Sequence, residues 1–254
     1  MPPVNRPSRR RRCRQFIRLI TYNIISAGGN NLNMVLRAMN HMGVDVGFLT
    51  ETKLSHDKYT RLCEGYTVCA THSDGYKGGV ALFYRNTSRW TIEGVQLFGP
   101  NVIRCSLVSG NRRWLLVGIY IPPSEYRGGG DTLQWIERAT ENASDPLIVM
   151  GDFNCNLVCP NNLYADDVSI VLSLLNLEDV ANHFTHPRGR WTWSQWRSGR
   201  YIRSTTDYVL AQNPKDFSRW VIKMPRYNSD HRAIVTELSL PVSVRSEHHR
   251  YQGQ

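Results

Sequence analysis

The chain has 254 residues, 41% of them hydrophobic, and a formal net charge of +10. That length can bury one large core and suits a single α/β domain, and no apolar run reaches the roughly 18 residues a membrane-spanning helix needs. Residues 1–15 carry six arginines and no acid, so more than half of the net charge sits there and the remaining body is only mildly basic.

The opening MPPVNRPSRRRRCRQ has no apolar stretch of the kind a secretory signal requires. Residues 1–14 read as a basic disordered tail, either merely solvated or serving nucleic-acid binding or nuclear import, the latter placing the protein in the nucleus after cytoplasmic synthesis. The six cysteines, Cys13, Cys63, Cys69, Cys105, Cys155 and Cys159, contain no CxxC pair and read as reduced thiols. A zinc site from Cys155, Cys159, His183 and His186 lacks the usual CxxC half, and chance spacing is the better account.

FIRLITYNI (16–24) reads as a first strand. In NNLNMVLRAMNHMG, Leu32, Val35, Leu36 and Met39 follow a helical spacing, with Asn30 or Asn31 as N-cap and Gly43 just past the end. VDVGFLTET (44–52) is the next strand, so strand, helix and strand form a βαβ unit. YTVCATH, GGVALFYR, NVIRCSLVSG and RRWLLVGIYIP read as an antiparallel meander, with Ser109-Gly110-Asn111 as a hairpin turn. DTLQWIERATEN (131–142) reads as a helix capped by Asp131, PLIVMGDFN as a strand, and DDVSIVLSLLNLEDV (166–180) as a helix with one apolar face. RWTWSQW and RSTTDYVLA form an expected hairpin, and WVIKM and HRAIVTELSL close a domain spanning 15–241. Residues 242–254 read as a tail or the start of a linker. This order suits a four-layered α/β sandwich: two mostly antiparallel β-sheets packed face to face, with helices outside.

The strands share a habit of finishing in polar residues: Asn23, Glu51, Tyr120, Asp152 with Asn154, Asp207, and Asp230 with His231. Each has a bland explanation alone. Asn23 suits a turn, Glu51 a solvated strand end, Asp152 a turn cap, Asp207 an arginine pair and His231 a satisfied core position. Together they supply two amides, four carboxylates, a phenol and an imidazole, the inventory of a metal-assisted hydrolase. Cleaving a phosphodiester puts charge on non-bridging oxygens and on a leaving alkoxide. A hard divalent cation held by one or two carboxylates answers that charge. A carboxylate must orient or deprotonate water, and a histidine paired with a second carboxylate can donate to a phosphoryl oxygen.

TYNI, TETK, GIYIPP, GDFN, TTDYVL and SDHRA, in that order over residues 16–240, resemble the endonuclease/exonuclease/phosphatase superfamily. This is the fold of apurinic endonucleases, of deoxyribonuclease I type enzymes and of the endonuclease domains of non-LTR (LINE-type) retrotransposons. The resemblance implies that Glu51, aided by Asn23, holds a catalytic Mg²⁺ or Mn²⁺. It implies that Asp152 acts on the attacking water with Asn154 helping to position it, and that Tyr120 contacts the scissile phosphate. His231, oriented by Asp207, would stabilise the phosphorane-like charge, and Asp230 would support the metal or the histidine. Apurinic endonucleases usually carry an aspartate two residues after the first asparagine. Here that position is Ile25, which cannot bind a cation, so a single-metal site is the expectation.

The superfamily shares one site among several activities, so the branch must come from other features. DGYKGGVALFYRN resembles the retrotransposon branch. HPRGRWTWSQWRSGRYIRS (186–204) joins Arg188, Arg190, Trp196, Arg197, Arg200, Tyr201 and Arg203. Trp191 and Trp193 alternate and read as core, whereas the tip could enter a groove or stack on bases; in LINE-type endonucleases the hairpin at this position contacts DNA. The expectation is a metal-dependent endonuclease that nicks double-stranded DNA to leave a 3′-hydroxyl, which in that branch primes a reverse transcriptase lying C-terminal in the parent polypeptide. The alternatives are another phosphodiesterase or phosphatase of the superfamily, such as an apurinic-site repair nuclease or a small-phosphoester hydrolase, and a non-catalytic nucleic-acid-binding derivative.

Overall fold

A computed structural model of the chain describes residues 16–55, 59–73, 77–87, 89–123, 125, 131–158, 163–186, 189–225 and 229–240. The expected tails, 1–14 and 242–254, lie outside the described residues, as does Arg188. The strands are β1 (Phe16–Asn23), β2 (Val46–Thr50), β3 (Tyr59–Cys63), β4 (Tyr66–Ala70), β5 (Val80–Tyr84), β6 (Thr91–Phe98), β7 (Val102–Ser109), β8 (Arg112–Tyr120), β9 (Leu147–Asp152), β10 (Glu178–Asp179), β11 (Trp193–Arg197), β12 (Arg200–Ser204), β13 (Asp207–Ala211), β14 (Phe217–Lys223) and β15 (Ala233–Ser239). The helices are α1 (Asn31–His41), α2 (Thr132–Thr140) and α3 (Leu163–Leu174).

Two sheets carry the body, one ordered β14-β15-β1-β2-β5-β4-β3 and the other β10-β13-β9-β8-β7-β6. Three cores separate four layers. Ile17, Leu19, Phe48, Leu116, Met150 and Val209 meet between the sheets. Leu32, Val35, Leu36 and Met39 of α1 cover the outside of the first sheet, and Ile136 of α2 with Val168 and Leu172 of α3 cover the outside of the second. The α/β sandwich expected from the sequence is the fold observed.

Side chains alternate along a strand, and this decides where the polar strand ends point. In β1, Ile17 and Leu19 face the inter-sheet core, so Asn23 closes the same face. In β9, Ile148 and Met150 face it, and Asp152 follows in step. Trp114 and Leu116 lead to Tyr120 on β8, and Val209 and Ala211 share their face with Asp207 on β13. The polar ends are thus the outermost inward residues of core strands, the last of β1, β8 and β9 and the first of β13. Pairing directions gather them at one edge. β1 and β2 are parallel, as are β8 and β9, so four strands finish together. β13 runs antiparallel to β9 and β15 to β1, so their beginnings lie at that edge, with Asp207 opposite Asp152.

Several local expectations need correction. The meander is two: β3, β4 and β5 belong to the first sheet, and β6, β7 and β8 to the second, so the chain changes sheets after Tyr84. β3 and β6 carry too little apolar alternation to be seen in advance. α3 begins and ends earlier than expected, with Ile170 and Leu174 exposed, so its apolar residues do not define one face. The hairpin is β11–β12 alone, and Asp207 begins a separate strand that returns to the second sheet.

Two glycines sit where a side chain cannot fit, Gly118 between the sheets and Gly151 against the neighbouring strand β8 of its own sheet. A Cβ on Gly118 of β8 would lie 2.0 Å from the Phe48 ring, which fills that space from the opposite sheet. A Cβ on Gly151 would lie 1.9 Å from the Ile119 carbonyl oxygen. β9 runs through Gly151, and its need for glycine is this close approach to β8. Gly118→Ala must push the Phe48 ring out of its place, at a cost of about 1–3 kcal/mol. Urea unfolding checks this, and a variant as stable as the parent would contradict it.

Candidate active site

One local device ends both parallel strand pairs. Asn23 Oδ1 accepts from Ile25 N at 2.9 Å, and Asp152 Oδ1 accepts from Asn154 N at 2.8 Å. Ile25 and Asn154 both take left-handed backbone angles, with φ of 63° and 51°. Asparagine tolerates that region, but for a β-branched residue it is strained. Glu51 and Lys53 after β2 are also left-handed, each with φ of 54°. Strain of this kind persists where surrounding bonds over-determine the backbone, and it clusters at functional sites.

The side chains form one network. Asn23 Nδ2 donates to Asp152 Oδ2 at 2.8 Å and to Glu51 Oε1 at 3.2 Å. Its oxygen is already bonded to Ile25 N, so its aid to Glu51 is as a donor that holds two carboxylates side by side. Tyr120 donates its hydroxyl to Glu51 Oε1 at 3.0 Å. Asn154 Nδ2 bonds Ile121 O at 3.0 Å and Asp152 Oδ2 at 3.3 Å. His231 Nδ1 lies 2.9 Å from Asp207 Oδ2, while its Nε2 faces Asp152 and Asp230, each at 3.9 Å. Asp230 Oδ2 accepts from Trp193 Nε1 at 2.9 Å, and this carboxylate is largely exposed. All eight expected residues therefore come together.

The structure adds residues that the sequence reading passed over. Lys53 Nζ pairs with Glu51 Oε2 at 3.1 Å. Ser229 Oγ donates to Asn23 O at 2.8 Å and accepts from His231 N at 3.1 Å, tying the histidine to the end of β1. Thr206 Oγ1 donates to Asp207 Oδ2 at 3.0 Å. All three sit inside the quoted TETK, SDHRA and TTDYVL motifs, which were read only for their charged members.

Burial decides the electrostatics. Asp152 is fully buried. Loss of solvent and the nearby Asp207 push its carboxyl up to about 7, against the pull of His231 and the hydrogen bonds from Asn23 and Asn154. For His231, burial lowers the pKa, but Asp207, Asp152 and Asp230 more than offset it and hold the imidazolium up to about 10. Burial and the carboxylates of Glu51 and Asp152 raise the Tyr120 phenol, so it stays a donor.

The donors fit a divalent cation. Asp152 and Asp207 bring carboxylate oxygens within 4.8 Å of one another, Glu51 shares the Asn23 amide with Asp152, and His231, held as an imidazolium, is no ligand. Asp207 Oδ1 is buried and has no hydrogen-bond partner among the described residues. A raised buried carboxyl and an unsatisfied carboxylate oxygen are what an acidic pocket shows when it is shaped to receive positive charge. Ile25 adds no oxygen to the set.

The β11–β12 hairpin stands beside this edge. Trp196 and Tyr201 are opposite each other, 60% and 63% exposed, with ring centroids 4.8 Å apart. Arg197 and Arg200 are also directly opposite and exposed, across a turn at Ser198-Gly199. Arg203 lies over the Trp191 ring at 4.9 Å, and Arg232 lies over it at 4.0 Å. Arg190 sits apart from the tip, where it pairs with Asp179 and donates to Asn182 Oδ1 at 2.8 Å. Trp191 and Trp193, expected in the core, are half-buried at the hairpin root. Of the four residues weighed for zinc, Cys159 lies outside the described residues, His183 pairs with Glu178 at 2.9 Å and His186 stacks on Trp220.

A buried carboxylate–imidazolium pair beside acidic and amide donors thus lies on one edge of a four-layered sandwich. The endonuclease/exonuclease/phosphatase family pattern matches residues 21–231, and the chain belongs to that family. Among solved structures, the chain is similar to the endonuclease domain of TRAS1, a telomere-specific non-LTR retrotransposon, at 14% identity and TM-score 0.66, covering 88% of this chain and 99% of that one. It is similar to the AP endonuclease LMAP from Leishmania major at 17% identity and TM-score 0.67, covering 89% of each chain. It is also similar to the 3′ phosphatase NExo from Neisseria, solved with a product DNA hairpin, at 17% identity and TM-score 0.63, covering 88% and 99%. At these identities the likeness is one of fold. No curated protein matches.

The His231 shift has a consequence for stability. From an ordinary value of 6.5 to about 10, the folded chain keeps a proton that the unfolded chain releases. Unfolding free energy therefore falls as pH rises through that window, and this contribution is complete below pH 6.5. Asp207→Asn should flatten the fall and lower the histidine's titration midpoint, read by urea unfolding across the window and by histidine NMR. A wild-type stability independent of pH over that range would contradict the pairing.

Proposed function

We propose that the chain is a metal-dependent endonuclease that nicks double-stranded DNA and leaves a 3′-hydroxyl. The observation that carries the reading is the hairpin tip. Like charges directly opposite across a hairpin are destabilising, yet Arg197 and Arg200 hold that register with exposed aromatics beside them. A nucleic acid relieves the repulsion with its polyanionic backbone and offers bases to stack on, whereas a small phosphoester offers too little surface to reach both the tip and the buried edge.

Mg²⁺ or Mn²⁺ bound at Glu51 would neutralise charge on the phosphate and on the leaving oxygen. The protein groups supply the rest. Asp152, raised toward neutrality, accepts the proton of the attacking water, since a base poised near the working pH is the efficient one. Asn154, bonded to Asp152, orients that water. Tyr120 keeps its proton and holds Glu51 toward the phosphate. The His231 imidazolium, with Nδ1 committed to Asp207, presents Nε2–H to a non-bridging oxygen. Asp230, held by the Trp193 indole, adds a carboxylate beside Nε2. The reading entails a nuclear site of action and, in the retrotransposon branch, a reverse transcriptase in the parent polypeptide that extends the new 3′ end. The DGYKGGVALFYRN stretch, which resembles that branch, supports it.

Supercoiled plasmid incubated with Mg²⁺ should relax to open circles, and Asp152→Ala should slow this by at least about 100-fold. A DNA polymerase given labelled nucleotides should extend the nicks directly. No nicking by the wild type, unchanged nicking by the variant, or hydrolysis confined to small phosphoesters refutes the proposal.

The hairpin gives a separate measurement. Replacing Arg197 or Arg200 by Ala should weaken duplex binding and reduce the slope of log affinity against log salt by about 1 per arginine. Salt slopes equal to the wild type would remove the tip from the DNA interface.

A further inference from the structure

Glu125 is a buried carboxylate that the site above does not use. Its Oε1 accepts from the Thr132 hydroxyl at 2.6 Å and its Oε2 from the Tyr164 hydroxyl at 2.6 Å. Thr132 has one hydroxyl proton, and Glu125 takes it. Toward its other neighbour, Asn101, Thr132 can only accept, and Asn101 Nδ2 donates to it at 3.4 Å. This fixes which way round the buried Asn101 amide sits. Its oxygen must face away from Thr132, and there it accepts from Gly79 N at 3.3 Å.

Gly78 and Gly79 bear directly on Glu51. Gly78 O accepts from Lys53 N at 3.0 Å and Gly79 O from Thr52 N at 3.2 Å, the two residues that follow Glu51. Both glycines have positive φ, and neither has room for a side chain. A Cβ on Gly78 would lie 2.6 Å from Asn101 Oδ1, and one on Gly79 would lie 2.5 Å from Thr52 Oγ1. A glycine pair has the greatest backbone freedom of any dipeptide, so its order must come from outside, and the Asn101 amide supplies it. The main chain of Asn101 acts on the other side of the carboxylate: its carbonyl accepts from Tyr120 N at 2.9 Å, and Tyr120 bonds Glu51 Oε1. Asn101 thus reaches Glu51 by two routes, across the gap between the sheets.

We propose that Asn101, oriented by the Glu125–Thr132 pair, is a positioning residue that sets the metal affinity of Glu51. The proposal rests on the reading of Glu51 as the metal carboxylate. Partners that orient a metal ligand typically change affinity by about 10–100-fold when lost. Without the Asn101 side chain, Gly79 N–H loses its acceptor and the strained backbone at Glu51 loses its brace.

The test is Mn²⁺ binding by the full chain without DNA, followed by the ion's paramagnetic resonance signal. Asn101→Ala should raise the dissociation constant by about 10–100-fold, and Glu125→Gln should raise it by less in the same direction. Nicking by both variants should need more metal for half-maximal rate and recover when metal is saturating, while duplex affinity in metal-free buffer should match the wild type. If Asn101→Ala does not fold, Glu125→Gln carries the test. Folded variants that bind Mn²⁺ within about twofold of the wild type overturn the proposal. So does a Glu51→Gln variant that still binds Mn²⁺ as the wild type does. Wild-type Mn²⁺ binding without nicking would instead refute the endonuclease reading and leave this proposal standing.

Discussion

The amide of Asn23 is the contact on which the rest of the site depends. It is buried, and its two N–H groups reach Asp152 from one sheet and Glu51 from the neighbouring strand end of the other. Two carboxylates this close repel each other, and one of them has no solvent. A neutral double donor holds both without placing a charge between them. That placement needs the sandwich. Asn23 must be the last inward residue of β1, Asp152 the last inward residue of β9, and the sheets must stack with those ends aligned. The close seat at Gly118, which Phe48 fills from the opposite sheet, makes that stacking possible.

The two halves of the molecule solve the turn beyond the strand end in the same way. Asn23 and Asp152 each use one side-chain oxygen to accept the amide two residues on, forcing Ile25 and Asn154 into the left-handed region. The cap leaves the other end of each side chain free to face its partner. A turn cap and a catalytic rim, which compete as explanations of the GDFN sequence, are the same structure: Oδ1 of Asp152 closes the turn and Oδ2 faces the site. In the first half the left-handed position holds isoleucine, which bears the strain without offering a ligand. The donor set is therefore asymmetric, richer on the Asp152 side.

Much of this was legible in the sequence because alternation and parallel pairing are both period-based. Once 16–24 and 146–152 read as core strands, Asn23 and Asp152 had to continue the inward face, and all eight polar strand-end residues do gather. What could not be read was set by long-range partners. β6 shows no apolar face in sequence because it is an edge strand, and nothing local marks the change of sheet after Tyr84. Arg190 looked like a member of the hairpin tip, but Asp179, eleven residues earlier, claims it. Lys53, Ser229 and Thr206 were invisible for the opposite reason: small or common polar residues carry no signal until their partners are located. Glu125, in the PPSE stretch after Tyr120, carries no signal in the sequence because its partners Thr132 and Tyr164 lie in later elements.

The hairpin and the Asp207–His231 pair share their supports. Trp193 at the root of β11 forms a β-bridge with His231, Ser194 N bonds Asp230 O at 3.0 Å, and Arg232 N bonds Thr192 O at 2.6 Å. On the other side, the buried Thr192 hydroxyl accepts from Thr206 N and Asp207 N, each at 3.0 Å. Both members of the Asp207–His231 pair are thus bonded to one residue or its neighbour at the base of β11. The exposed tip can vary in sequence at small cost, because its residues pack on little else. The root cannot, because any shift there moves the acid and the imidazole together. A tip free to vary and a root held fixed follow from one ribbon serving both, because the tip packs on little while the root is bonded to Asp207 and His231.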